Sequence, residues 1–248
     1  MESIPFSIWK QGGLTEHLGG VSATRRLLAR CNLTPGQRIL DLGCGTGYTA
    51  CYLAQRHGAQ VVALDLSPRS VAEARKRVSR EGAEGQVGVV LADAHHLPFA
   101  ADSFDAVIVE SVLVFCNANA AAQEAHRVLK SGGILGANEF TFLKPPPAEL
   151  TALLTGSLGI RAFQQEEWAA ILTRAGFAQV ASSVHRINMW EQMKSHMEAE
   201  GVRRYLSGMR AGIRGASVRA AFFNRRMLAA ARQFLPYVGY GLYTAMKE

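Results

Sequence analysis

The chain is 248 residues long, 48% hydrophobic, with a formal charge of +7 and a pI near 9.5; this suits one sizeable α/β domain with an attachment and an anionic partner, without specifying a fold. No run of about 18 apolar residues occurs, and the opening segment lacks a charged stretch followed by an apolar one, so neither a membrane span nor export is expected and a cytoplasmic protein is. Cys31, Cys44, Cys51 and Cys116 show no C-x-x-C spacing, which argues against a zinc site or a disulfide framework.

From residue 37 onward, apolar β-type runs at 37–42, 60–65, 87–92, 105–110 and 134–140 alternate with helical stretches. That alternation predicts a parallel, doubly wound α/β sheet. Ser67 as N-cap, Pro68 at the first helical position and Gly82 past the last basic turn place a helix over 68–81. A second, 117–130, is expected to stop at Ser131-Gly132-Gly133; Pro145 to Pro147 open a further segment; a helix over 166–175 closes at Gly176; and 177–187 is again β-type. Residues 188–238 then read as mostly helical, with nine Lys/Arg against three Asp/Glu, and Met189, Met193 and Met197 share one helix face as a core-facing stripe. In the closing "YGLYTAMKE", Leu242, Thr244 and Met246 alternate with Tyr243 and Ala245, the pattern of a strand returning to the sheet. The chain thus divides into an N-terminal helical cap (1–35), a core (36–187), a basic helical insert (188–238) and a terminal core strand (239–248).

The first strand runs into "ILDLGCGTGY", three glycines spaced G-x-G-x-G. A glycine turn that leaves a strand and opens a helix aims backbone N–H groups and the positive helix end at a ligand. NAD is the first ligand to weigh, but the dinucleotide fingerprint is G-x-G-x-x-G, and Asp41, two residues before the first glycine, would repel a pyrophosphate. A carboxylate there welcomes an ammonium group. Asp65 ends the next strand 24 residues on, where it can take two ribose hydroxyls. The turn therefore suits a ligand with an amino-acid head and a ribose.

"ILDLGCGTGYTACYLA", "VVALDLSP", "LADAHHLPFAADSFDAVIV" and "RVLKSGGILGANEF" resemble, in order, the motifs of the class I S-adenosylmethionine-dependent methyltransferases, in the small-molecule subgroup acting on quinones, tocopherols, sterols and phosphoethanolamine. The resemblance covers about residues 12–187 and the terminal strand. It implies a Rossmann-like, seven-stranded sheet with an antiparallel last strand, and S-adenosylmethionine as cofactor. It also implies that Asp41, Gly43, Cys44 and Gly45 surround the methionine part, that Asp65 holds the ribose, that Leu66 packs on the adenine, and that Asp93 with the backbone of Ala94 meets its amino edge. His95 and His96 read as a partly solvated pair on that loop.

Methyl transfer from a sulfonium is an in-line displacement for which the protein supplies alignment, desolvation and, where needed, a base. Three groups are candidates for proton work: Glu110 and Glu139, at the ends of the fourth and fifth strands, and His17, in the segment "TEHLGGVSATRRLL". Each glutamate is read equally as a loop cap or a contact to the cofactor amine. His17, Gly19, Gly20 and Thr24 match the segment that folds over the cofactor in the resembled subgroup; a glycine-broken helix entrance is the plainer reading. Tyr48 is open between facing the sulfonium and filling the core, and His126 reads as an ordinary helix residue.

The acceptor is expected to be a small, apolar or amphiphilic molecule. The strand-four segment "VESVLVF" lacks the N/D-P-P-Y/F turn of enzymes that methylate exocyclic amines in nucleic acids, and no Pro-Cys nucleophile is present. Over 218–235, Phe223, Met227, Leu228, Phe234 and Leu235 project to one side of a helix, and Arg219, Arg225, Arg226 and Arg232 to the other, with Phe222 out of place. Such a helix can lid a lipophilic acceptor, lie peripherally on an anionic membrane, or show a solvated basic face. An RNA methyltransferase, favoured by charge alone, and a catalytically inert cofactor-binding module are the alternatives. Oligomeric state is not legible.

Overall fold

The structure, a computed structural model, describes residues 17–200 and 233–248. Helix α1 (Gly20–Arg30) precedes β1 (Arg38–Leu42), α2 (Tyr48–His57), β2 (Gln60–Asp65), α3 (Pro68–Arg80), β3 (Val87–Leu91) and β4 (Phe104–Glu110). A 3-10 turn (Leu113–Phe115) leads to α4 (Ala118–Val128), β5 (Leu129–Phe142), α5 (Ala148–Leu158), the two-residue β6 (Phe163–Gln164), α6 (Gln165–Arg174) and β7 (Ala178–Arg186). Helix α7 (Met189–Glu200) follows, and the chain returns through a second 3-10 turn (Leu235–Tyr237) into β8 (Val238–Met246).

The sheet runs β3-β2-β1-β4-β5-β8-β7, with β8 antiparallel to both neighbours and the first five strands parallel. Strand order reverses between β1 and β4, the crevice where doubly wound sheets bind ligands. Residues of α1, α2 and α3 pack with Ile39, Val61, Ile108 and Leu242 on one face; residues of α4, α5 and α6 pack with Leu40, Val107 and Tyr243 on the other. Burial of both faces is why the strands read as continuous apolar runs. In α1, Val21, Leu27 and Leu28 are buried while Arg25 and Arg26 face out, each buried side chain contributing about 1.5–3 kcal/mol.

The seven strands of this order and the antiparallel last strand are as expected, with the two-residue β6 added beside the end of β5. Two details differ from the sequence expectation. Helix α4 stops at Val128 and β5 begins at once, so Ser131-Gly132-Gly133 ends no helix: Gly132 adopts φ +75° in an irregularity of the β4–β5 ladder and donates to Lys247 O at 2.7 Å. Finally, β5 continues to Phe142, which puts Glu139 inside the strand and not at its end. The helix projected over 218–235 lies, up to residue 232, outside the described residues. Of the methionine stripe, Met193 and Met197 are half-buried.

Candidate active site

The three glycines of the turn after β1 do different work. All have positive φ, +79° at Gly43, +52° at Gly45 and +79° at Gly47. A Cβ on Gly43 would lie 2.1 Å from Val112 Cγ2, and one on Gly47 3.1 Å from the Ala74 backbone, so these two allow close packing. A Cβ on Gly45 would meet no atom within 4 Å. The N–H groups of Gly43 and Cys44 donate to Leu64 O at 2.7 and 2.8 Å, seating the turn on the end of β2, and Gly47 opens α2 without a side-chain cap.

The acids lie around this turn. Asp41 is buried, and its Oδ2 has no hydrogen-bond partner among the described residues. Burial above all, then the charges of Glu110 and Asp65, push its carboxyl well above the usual range. Asp65 clamps the turn: Oδ2 accepts from Gly45 N at 2.9 Å and Oδ1 from Ser67 N at 2.8 Å. Leu66 beside it is 68% exposed, an apolar surface at the carboxyl edge of the sheet. Across that edge, Asp93 accepts from His95 N and pairs with His95 Nδ1 at 2.8 Å, while Ala94 is buried. The His95 N–H is the main cause holding the Asp93 carboxyl below its ordinary range. His95 Nε2 accepts from Asn117 N, tying this loop to the start of α4, and His96 is exposed.

Glu110 gathers the polar groups of four elements. Its Oε2 lies 3.1 Å from His17 Nε2, both side chains being at most 10% exposed. Thr24 Oγ1 donates to Glu110 at 3.1 Å, Thr49 Oγ1 at 2.9 Å and Asn138 Nδ2 at 3.4 Å. His17 Nε2 also meets Thr24 Oγ1 at 2.8 Å and Gly20 O at 3.0 Å; every hydrogen bond of this imidazole among the described residues uses Nε2. Gly19 makes the bend possible, with φ +81° and a position where a Cβ would lie 2.6 Å from the Tyr240 ring. His17 and Glu110, far apart in sequence, thus meet beside the glycine turn.

Glu139 faces elsewhere. It is 1% exposed, and its carboxylate accepts from the N–H groups of Val112, Leu113 and Val114 at 3.1, 3.0 and 3.4 Å. Burial pushes its pKa up to about 8 against these donors, with the Glu110 charge adding to the rise. Successive residues of a strand point to opposite faces, so Asn138 reaches Glu110 while Glu139 reaches the 3-10 turn. The Tyr48 ring is faced by the Arg77 guanidinium, 5.6 Å from its centroid, and His126 packs edge-on against Phe177.

The family profile described as "Methyltransferase domain" matches residues 40–137, which spans this turn, Asp65, Asp93 and Glu110. The uncharacterized methyltransferase YodH of Bacillus subtilis is 36% identical over 162 residues, 65% of this chain and 68% of that protein. The chain belongs to the class I S-adenosylmethionine-dependent methyltransferases. A second relative of this methyltransferase, the O-methyltransferase resE of Aspergillus sclerotiorum, is 39% identical over 113 residues, 45% of this chain and 43% of that one. The chain spans about two thirds of YodH and about half of other curated relatives. A SAM-dependent methyltransferase from Thiobacillus denitrificans, solved in complex with S-adenosylhomocysteine, shares the fold at 22% identity, with a TM-score of 0.72 and both chains fully covered.

S-adenosylmethionine is the cofactor of the family, and the turn of this methyltransferase fits it. The unpartnered Asp41 Oδ2 meets the need of an ammonium-bearing ligand, and the space beside Gly45 admits one close to the backbone. Sequence reasoning missed Thr49 and Asn138, whose side chains hold Glu110, and also Gln192, whose amide bonds the bend at His17 and Gly19, and Arg77, whose Nε donates to the Thr46 carbonyl of the glycine turn. A polar residue inside the apolar run "ILGANEF" was a signal for Asn138; Gln192 and Arg77 left none.

Proposed function

We propose that the chain transfers a methyl group from S-adenosylmethionine to a hydroxyl oxygen of a small, apolar or amphiphilic acceptor, with His17 and Glu110 as its proton-handling pair. The observation that carries this reading is the buried His17–Glu110 contact at the carboxyl edge, beside the glycine turn. When bound, the cofactor supplies an electrophilic sulfonium methyl group. Asp41, Gly43, Cys44 and Gly45 would hold its methionine end, Asp65 the ribose, and Leu66, Asp93 and Ala94 the adenine.

A hydroxyl is a poor nucleophile until its proton is taken, so oxygen methylation gives a base something to do. Thr24, Thr49 and Asn138 fix the Glu110 carboxylate, which engages Nε2 of His17 and leaves Nδ1 to accept a proton. This is the general arrangement in which a carboxylate sets the tautomer and orientation of a base. The name of the resE relative agrees with transfer to oxygen. Glu139, tied to three backbone N–H groups, serves the turn after β4 in this reading and is not the base. Among the described residues no helix is long and apolar enough to cross a membrane.

The test is incubation with methyl-labelled cofactor and a small-molecule extract, with and without nuclease. Nuclease-insensitive label in organic-extractable molecules, released as methyl iodide on ether cleavage with hydriodic acid, is expected. Label in RNA would favour the nucleic-acid alternative, and cofactor binding without transfer the inert module.

A further inference from the structure

Helix α7, the first element after β7, touches both halves of the site. Near its start, the Gln192 amide spans the bend that carries His17: Nε2 donates to His17 O at 3.1 Å, and Oε1 accepts from Gly19 N at 2.8 Å. Further along it, the Ala199 carbonyl accepts from Arg77 Nη1 at 2.9 Å. The two ties lie about 10 Å apart along the helix, seven residues at a rise of about 1.5 Å each.

Arg77 is only 3% exposed, an unusual place for a guanidinium. Its Nε donates to the carbonyl of Thr46, inside the glycine turn, at 3.0 Å, and Nη1 pairs with Glu81 at 3.2 Å. The planar fork of donors lets one cation hold two backbone segments at once. From α3, Arg77 thus holds a backbone carbonyl of α7. The other polar ties to α1, Arg25–Glu198 and Arg26–Glu191, are between exposed groups and hold little.

We propose that Gln192 and Arg77 are positioning residues which, through α7, fix the imidazole of His17 relative to the glycine turn. Neither touches the reacting atoms. The proposal rests on the reading of His17 as the proton-handling group, and it makes the start of the insert part of the frame of the site. Seating of the glycine turn on its ligand then tightens α7, and loss of either tie loosens one half of the site.

The test uses the full chain with S-adenosylhomocysteine as probe, amide hydrogen exchange over residues 189–200, calorimetry, and the imidazole resonances of His17. In the wild type, the probe should slow exchange in α7 by at least about fivefold. In Arg77→Lys, a point charge that cannot fork to both carbonyls, that protection should vanish and probe affinity should fall about 5- to 100-fold. Gln192→Leu should leave probe affinity near wild type and shift the His17 resonances. Probe binding that leaves α7 exchange unchanged in the wild type would overturn the proposal, whether or not a variant folds. So would Arg77→Lys behaving as wild type, or His17 resonances indifferent to Gln192→Leu. If α7 is protected as expected but His17→Gln keeps full turnover, the base assignment fails while the positioning stands.

Discussion

His17 Nε2 and Glu110 Oε2 lie 3.1 Å apart, although they are 93 positions apart in the chain, and the contact is nearly shut off from solvent. Two elements make it: the bend before α1, which needs Gly19, and the end of β4. If the pair acts as a unit, His17→Gln and Glu110→Gln should each lower turnover about 10²- to 10⁴-fold, and the double variant should be little worse than either alone. Labelled methyl transfer to the recovered acceptor decides it. Full turnover in His17→Gln would leave alignment as the whole mechanism.

Asp65 joins the glycine turn to the start of α3 through Gly45 N and Ser67 N. Asp65→Ala removes that clamp together with the proposed ribose contacts. Binding of S-adenosylhomocysteine should weaken by about 1.5–3 kcal/mol per charged hydrogen bond lost, while Asp65→Asn, which keeps an acceptor oxygen, should lose less. Calorimetry with both variants checks the order; equal affinity of Asp65→Ala and wild type would remove Asp65 from the cofactor site.

Which parts of this molecule were legible follows from the range of each interaction. The strands of the core, α3 and its Ser67 cap, and the glycine turn are written in local periodicity and turn chemistry, and the structure places them within a few residues of expectation. The junction at Leu129 was misread because Ser131-Gly132-Gly133 is helix-stop chemistry, whereas here Lys247, from the opposite end of the chain, pairs with it. Glu139 looked like a strand-end acid for a similar reason: the length of β5 is set by nine paired positions on β8, which local pattern does not count. His17, Glu110 and Asp41 could be nominated one by one from the motifs. The closure of His17 and Glu110 by Thr24, Thr49, Asn138 and Gln192 depends on contacts between distant elements.

The glycine turn allows a paired comparison. Gly43→Ala places a methyl group 2.1 Å from Val112 at φ +79°, so a shift of the turn or of the segment after β4 should cost about 1–3 kcal/mol of stability. Gly45→Ala meets no atom within 4 Å and pays only for its left-handed backbone, about 1 kcal/mol. Its added methyl group stands instead where the cofactor is proposed to lie, so affinity for S-adenosylhomocysteine should fall more than stability. Urea denaturation and calorimetry on both proteins measure the two quantities; a Gly45→Ala protein that binds normally would show that the open side of the turn is not the cofactor's.

Glu139 gives the fold a pH dependence opposite to that of an ordinary salt-bridged acid. Its pKa, 4.5 in the reference state, is pushed up to about 8 in the folded protein, chiefly by burial. Between those values the folded state holds a proton that the unfolded chain has released, so stability is full below about pH 4.5 and is lost as pH rises towards 8. One such proton contributes a slope of up to about 1.4 kcal/mol per pH unit. Glu139→Gln cannot release a proton, yet its amide oxygen can still accept from Val112 and Leu113. The variant should therefore be less stable than wild type at pH 5 by no more than a hydrogen bond, about 1 kcal/mol, and should lose less stability between pH 5 and 8. Denaturation of the ligand-free proteins across that range measures both slopes. Parallel curves would mean that Glu139 is ionised throughout, with the three N–H groups of the turn outweighing its burial.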